Sequence, residues 1–392
     1  MTSSLDHYAR NVAPVPDTPD SRLAEVLVGE KDGKVTKVLL PSSVQADDAA
    51  LLRGASLDPN AWVITPGSRR HKRWQRYDGE WLNWWSFDFQ ERTVETDAER
   101  TADIAELKAL FKKAKPKPRE AVSGDDAFVF VVADLQTGKS SEYTINKFRQ
   151  AVSDAKARIK HLRRAGHSMP TLAIVGLGDL IEGCDGHYAM QTFGVDLDRR
   201  GQVKVVRRLL RELIEELAPL FSEVVVVCVG GNHGENRKDG KAYTSFADND
   251  DVAVFEVLQE ILDGRPGYEH VRFHVPDDQL SVCLQIAGVN VGLTHGHLMS
   301  RGGKLAANKA FEWWSGQIMG LQPVANAQIL LTGHYHHLSI VGTGPRWHLQ
   351  APALDNGSKW WTDVSGQQSA EGVLTFRLDS KHPFFWDDLK VL

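Results

Sequence analysis

The 392-residue sequence predicts an α/β protein. Its large domain spans residues 125–392 and follows a small N-terminal α+β module at 21–119 and a polar arm at 1–20. Two observations predict this. Five apolar, β-prone runs in the back two-thirds each end on a polar residue able to bind a metal: AFVFVVA before Asp134, TLAIVGLG before Asp179, EVVVVCVGG before Asn232, VNVGLT before His295 and QILLTG before His334. From Ala127 the order is also strand, helix, strand, helix, strand, the alternation that builds a mostly parallel sheet.

The elements follow in order. Residues 1–20 are polar and carry prolines, which predicts an arm with little fixed structure. Residues 21–93 read as SRLAEVLVGE, KVTKVLL, a short helix around DDAALLRGA, then AWVITPG and a YDGEWLNWWSFDFQ hairpin. TDAERTADIAELKALFKKA carries apolar residues at helical spacing, and the two prolines of KPKPRE break it, so a boundary is expected near residues 115–124. INKFRQAVSDAKARIKHLRRAG and RGQVKVVRRLLRELIEELAPL are amphipathic helices. After DDVAVFEVLQEIL the pattern shifts toward strands, and no internal repeat is present.

Composition excludes several classes. Hydrophobic residues at 42% and charged residues at 25% are ordinary for a globular protein rather than a disordered or fibrous one. No segment is apolar and long enough to span a bilayer, and MTSSLDHYARNVAPVPDTPD lacks the charged and apolar regions of a secretory signal, so a cytoplasmic location is expected. Cys184, Cys228 and Cys283 are scattered and odd in number, which suits reduced thiols better than bridges or a zinc knuckle.

The net charge of −5 argues against a chain that is basic throughout, but the distribution is uneven. Residues 1–119 carry 19 Lys and Arg against 18 Asp and Glu, a net of +1 that leaves −6 for the remainder. Within that segment SRRHKRWQRYDGEWLNWW sets Arg69, Arg70, Lys72, Arg73 and Arg76 beside Trp74, Tyr77, Trp81, Trp84 and Trp85. Cations interleaved with aromatics suit a nucleic-acid strand, phosphates on the basic groups and bases on the rings. The same pattern also describes a solvated hairpin whose tryptophans pack into a small core.

In α/β proteins the loops leaving the carboxyl ends of neighbouring strands converge on one crevice. Asp134, Asp179, Asn232, His295, His334 and His336 can therefore gather there, and carboxylates, an amide carbonyl and imidazoles together suit divalent metals. The ordered set DLQ (134–136), GDLIEG (178–183), GGNHGEN (230–236), LTHGHL (293–298) and GHYHH (333–337) resembles the calcineurin-like metallophosphoesterase superfamily over residues 125–392. That superfamily is marked in this order by D-x-H, GD, GNH, a lone His often written HGH, and GHxH. The whole chain further resembles its phage-encoded members, related to double-strand-break repair nucleases.

The resemblance implies a four-layer αββα sandwich and a two-metal phosphoesterase. A pair of cations about 3.5–4 Å apart neutralises the phosphate oxygens and orients an attacking water. By carry-over Asp179 bridges the pair, Asp134 and His336 hold the first ion, and Asn232, His295 and His334 hold the second. The single-residue spacing in GHYH, read as extended backbone, lets the two imidazoles diverge toward separate ions. His233 corresponds to the His that stabilises the transition state or protonates the leaving oxygen. Glu182 is its expected carboxylate partner through the other ring nitrogen, with Glu235 as a competitor. Gln136 stands where an imidazole is expected. As a ligand its neutral oxygen favours Mn²⁺ over Zn²⁺, with Fe, Ni and Mg also admissible; otherwise it lines the pocket.

Substrate contacts are sought in GCDGHYAMQTFGVDLDRR, with His187, Tyr188, Gln191, Arg199 and Arg200, and in SRGGKLAANKAFEWW, with Arg301, Lys304 and Lys309; Trp313 and Trp314 are expected in the core. The expected activity is hydrolysis of phosphodiesters by metal-activated water, with DNA as partner and a nuclease or exonuclease as the leading form. The alternatives are a small-molecule (cyclic nucleotide) phosphodiesterase or phosphomonoesterase, and a phosphate-binding scaffold without turnover. GDLIEGC lacks the Arg of the Ser/Thr protein phosphatases.

Overall fold

The structure, a computed structural model, describes residues 27–28, 34–41, 46–65, 68–75, 81–91, 122–188, 191–238, 240–299, 306–354 and 370–392. The chain divides into two compact units, residues 1–114 and 115–392. The arm at 1–20, the expected helix at 96–114, and the candidates Arg76, Arg301 and Lys304 lie outside the described residues. No helix among the described residues is long and apolar enough to cross a membrane.

In the first unit β1 (Leu27–Val28), β2 (Lys34–Pro41), β3 (Trp62–Ile64), β4 (Arg70–Gln75) and β5 (Trp81–Glu91) form an antiparallel sheet centred on β5, which pairs with β2, β3 and β4. Helix α1 (Asp48–Gly54) starts where the Asp47 carboxylate accepts the Ala50 N–H at 2.7 Å. Val38, Leu51, Leu52, Trp62, Ile64, Phe87 and Phe89 form a small core between helix and sheet.

The second unit begins with β6 (Asp126–Val132), α2 (Ser141–Arg164), β7 (Thr171–Gly176), α3 (Arg199–Leu217) and β8 (Glu223–Cys228). A short hairpin of β9 (Arg237–Lys238) and β10 (Lys241–Ala242) precedes α4 (Asp250–Leu262) and β11 (Val271–His274). There follow β12 (Ser281–Ile286), β13 (Val289–Thr294), α5 (Ala306–Met319), β14 (Ile329–Thr332), β15 (Ser339–Thr343), β16 (Arg346–Gln350), β17 (Leu374–Asp379) and β18 (Trp386–Val391). One sheet runs β11-β8-β7-β6-β17-β18, its first four strands parallel; the other runs β12-β13-β14-β16-β15, with β13, β14 and β16 parallel.

Alternation along β6 explains the layering. Phe128, Phe130 and Val132 face α2, α3 and α4, joining Phe148, Ile159, Leu213 and Phe255 in one core. Val129 and Val131 face the other way and meet Val291, Leu293, Ile329 and Leu331 of the second sheet. On that sheet's outer side Leu330 packs with Trp314, Val324 and Ala327, covered by α5. The unit is thus a four-layer α/β/β/α sandwich, the arrangement that the resemblance implies. Strands buried on both faces need apolar residues at successive positions, so they appear as unbroken runs. Each buried Val, Leu, Ile or Phe contributes about 1.5–3 kcal/mol. Trp314 is buried as expected, whereas Trp313 is only partly so. All three cysteines are free.

Candidate metal centre

The site is assembled where β6, β7, β8, β13 and β14 end, and its backbone is strained. Asp134 (φ 48°), Gln136 (41°), Asp179 (51°), His334 (69°) and His336 (56°) all occupy the left-handed region. The GHYH segment therefore does not hold its two imidazoles in extended backbone as expected; a left-handed turn at each re-aims both rings. Non-glycine residues in that region cost roughly 1 kcal/mol or more each and persist only where the surroundings over-determine them. Here the Asp251 carboxylate does much of this. It accepts the N–H groups of Asp179 (2.8 Å), Leu180 (2.9 Å) and Gly231 (3.0 Å), tying the β7 and β8 loops together. Close approach also requires glycine: a Cβ on Gly231 would stand 2.2 Å from Asp179 Oδ1, and one on Gly333 would stand 2.7 Å from Asp134 Oδ2.

Asp179, His295 and His334 each offer a ligand atom, and these atoms lie within 4.8 Å of one another. His295 Nδ1 is 2.6 Å from the Leu177 carbonyl, which fixes the ring and leaves Nε2 facing Asp179 Oδ2 at 2.9 Å. Burial alone would lower the His295 pKa, but the Asp179 charge holds it up to about 9. Burial likewise opposes ionisation of Asp179, yet His295 and His233 hold its carboxyl well below the usual range. His334 is pushed down to about 3 by burial and the neighbouring His295, which keeps its imidazole neutral, the form that binds metal.

Asp134 is fully buried, accepts the His334 N–H at both oxygens (3.1 and 3.0 Å), and lies 3.3 Å from His336 Nε2. Asn232 Oδ1 is buried without a hydrogen bond. Leaving such an atom unsatisfied costs about 1–3 kcal/mol, and a cation accepting its lone pair removes that cost. The donor set therefore fits divalent ions. Gln136 differs: its oxygen accepts from Lys139 Nζ at 3.3 Å and its amide nitrogen lies 3.3 Å from His336 Nε2. In this arrangement its side chain lines the site with its oxygen engaged by Lys139.

His233 donates its N–H to Asp179 Oδ1 at 2.7 Å. Its Nδ1 lies 2.7 Å from the backbone carbonyl of Glu182 but 3.5 Å from that residue's carboxylate. The expected orienting carboxylate is thus displaced by a carbonyl of the same residue. Glu182 is buried, which raises its pKa, and Oε1 accepts from Tyr188 Oη at 2.6 Å. Glu235 faces Arg237 (2.5 Å) and His297 (3.4 Å) rather than His233. His187 stacks flat on His233, centroids 4.0 Å apart and planes 4° apart, and lies 3.4 Å from Asn232 Nδ2. Burial and the His233 charge lower its pKa to about 3.

Other candidates are dispersed. Arg199 pairs with Asp250 and the Gly234 carbonyl, Arg200 is exposed in the first turn of α3, and Lys309 lies over Tyr335. In the first unit Lys72 lies over Trp84 and Arg69 over Trp85, which also stacks on His71; Arg69 further binds Asp48. Arg70 and Arg73 are exposed on β4, whereas the Trp74 side chain is outside the described residues. Two residues escaped sequence reading. Asp251 lies in an acidic run that reads only as a helix start; burial and Asp179 push its pKa up to about 6. The His297 side chain is nearly buried with neither ring nitrogen hydrogen-bonded, and the HGH spelling is its only sequence signal.

No family model matches the chain, and no curated protein matches it. Solved structures align partially. A Streptococcus pneumoniae TIGR4 protein described as a predicted phosphoesterase is 11% identical, covering 66% of this chain and 86% of its own, with a TM-score of 0.29. A structure described as a novel archaeal phosphodiesterase is 11% identical over 68% of this chain and 99% of its own, with a TM-score of 0.32. Vps29 from Entamoeba histolytica, complexed with Zn²⁺, is 12% identical over 65% and 87%, with a TM-score of 0.28.

Proposed function

We propose that the protein is a metal-dependent phosphodiesterase that hydrolyses DNA. The observation that carries this reading is the cluster of Asp179, His295 and His334, whose ligand atoms lie within 4.8 Å of one another, with Asn232 Oδ1 buried and lacking a hydrogen bond. In this reading Asp179 is shared by two ions. Asp134 and His336 would complete one position, and Asn232, His295 and His334 the other. The mixture of oxygen and imidazole donors favours Mn²⁺, with Fe, Zn, Ni or Mg as substitutes. Divalent cations held there supply charge neutralisation on the phosphoryl oxygens and lower the pKa of the attacking water.

The chain's own groups do the rest. His233 has Nδ1 committed to the Glu182 carbonyl, so Nε2 is the atom that can hold a proton and pass it to the leaving oxygen. His187 packs against one face of that ring and limits its rotation. The exposed Arg70 and Arg73 on β4 support a polyanionic substrate. Three free cysteines support a reducing, cytoplasmic setting.

The test is hydrolysis by Mn²⁺-loaded protein of single-stranded DNA, duplex DNA, bis-p-nitrophenyl phosphate and p-nitrophenyl phosphate. Cleavage of DNA and of the diester dye is expected. Cleavage of the dye without DNA would redirect the reading to small-molecule diesters, and turnover of the monoester alone would end it.

A further inference from the structure

Four aromatic side chains stand unusually exposed on loops that leave the metal centre: Tyr188 (49%), Phe193 (48%), Tyr243 (66%) and Phe246 (42%). Exposed large rings gathered at one place mark an interaction surface more often than chance. Tyr188 and Phe193 follow Asp179 in the chain, and Tyr243 and Phe246 follow Asn232. The two loops touch, since a Cβ on Gly186 would come 2.7 Å from Arg237 Cβ. They are also anchored to the chemistry. The Tyr188 hydroxyl binds Glu182, whose carbonyl holds His233, and Gln191, two residues before Phe193, donates to that same carbonyl at 2.7 Å.

Lys238 and Lys241 are exposed on the β9–β10 hairpin, immediately before Tyr243 and Phe246. Of the acidic groups on these loops, Asp185, Asp196, Asp198 and Asp248 accept hydrogen bonds from Gly186, Ser141, Gly201 and Asn236, and Asp250 pairs with Arg199. The first unit presents cations and rings too, but there Trp84 and Trp85 already have basic side chains or His71 laid over them.

We infer that this aromatic rim of the second unit, with its two exposed lysines, grips a single strand of nucleic acid, bases stacked on the rings and phosphates on the lysines, and delivers a diester to the centre. This rests on the phosphodiesterase reading above and narrows its substrate class. Bases inside a duplex stack on one another and offer no face to a protein ring, whereas an unpaired strand offers every face. Single strands and frayed ends are therefore the form the rim fits.

Fluorescence anisotropy of a labelled oligodeoxythymidine tests this, using the full chain with Ca²⁺ in place of Mn²⁺ to suppress turnover. Tyr243→Ala combined with Phe246→Ala is expected to weaken binding by roughly tenfold or more, from the usual worth of base stacking. Tyr243→Trp should retain affinity, which separates loss of a ring from damage to the loop. Lys238→Gln with Lys241→Gln should reduce the slope of log affinity against log salt by about 1.4, near 0.7 per phosphate contact on a single strand. The inference is overturned if the alanine pair binds like wild type, or if wild type binds a blunt duplex as tightly as the oligonucleotide. Hydrolysis of bis-p-nitrophenyl phosphate by the wild-type protein is read separately. Failure there removes the phosphodiesterase reading, while the anisotropy still decides whether the rim binds a strand.

Discussion

His295 Nε2 and Asp179 Oδ2 stand 2.9 Å apart in the fully buried heart of the site, and the other nitrogen of His295 is tied to the Leu177 carbonyl. The carboxylate and imidazole thus face each other as two ligands of one ion would. Removing the Asp179 charge takes away the shared oxygen donor and the group that polarises His295. Asp179→Asn should weaken Mn²⁺ binding by more than the roughly 10–100-fold typical of outer-shell partners. Isothermal titration calorimetry measures it, and a variant with wild-type affinity would exclude Asp179 as a ligand. Because His295 titrates near 9, Mn²⁺ uptake by wild type at pH 7 should also release a proton. Heats that do not change with the ionisation enthalpy of the buffer would contradict that.

His233 touches the same carboxylate through its backbone N–H, and with Nδ1 on the Glu182 carbonyl its Nε2 is left to serve the substrate. His233→Asn should leave Mn²⁺ stoichiometry intact and lower kcat by roughly 10²–10⁴-fold, the usual contribution of a positioned proton donor. A substrate whose leaving group needs no proton, such as bis-p-nitrophenyl phosphate, should lose less than DNA does. Equal losses on both would mean that the ring acts by holding the loop.

The strand ends were legible because buried parallel strands appear as continuous apolar runs, so the polar residue closing each run stands out. Asp134, Asp179, Asn232, His295 and His334 were all visible this way. What was not legible is how those residues are held. The left-handed backbone at Asp134, Gln136, Asp179, His334 and His336 leaves no mark, since none is glycine and the constraint comes from other loops. Asp251 reads as an ordinary helix start, yet its carboxylate accepts three backbone N–H groups from two loops. The stacking of His187 on His233 joins residues far apart in sequence. In the first unit the alternation of cations and tryptophans was evident, but only the pairing of β4 with β5 shows Lys72 laid over Trp84.

A buried histidine outside the ligand set adds a pH dependence. His348 on β16 is fully buried, with Nε2 2.9 Å from Thr332 Oγ1 and Nδ1 lacking a partner. Burial lowers its pKa to about 4 from the ordinary 6.5, so the folded protein holds it neutral while the unfolded chain protonates it. Unfolding therefore takes up a proton between those values, and stability is lost as pH falls from about 6.5 toward 4. The effect amounts to about 3 kcal/mol at most, at 1.36 kcal/mol per pKa unit. His348→Gln should flatten the acid limb of Tm against pH, and an unchanged limb would assign the acid sensitivity elsewhere.

Gln136 offers a test of the first metal position. Its oxygen is engaged by Lys139 and its nitrogen approaches His336, so a cation at Asp134 and His336 gains little from it. An imidazole in its place is a stronger donor toward first-row metals and holds no competing hydrogen bond to Lys139. Gln136→His should therefore tighten the weaker of two Mn²⁺ binding steps by about tenfold, or roughly 1.4 kcal/mol, while leaving the other unaltered. It should also shift preference toward Zn²⁺, which favours nitrogen donors. Titration of both metals into wild type and variant reads the two steps separately. If the stronger step moves and the weaker does not, then Gln136 borders the ion held by His295 and His334, and the division of ligands between the two positions must be redrawn.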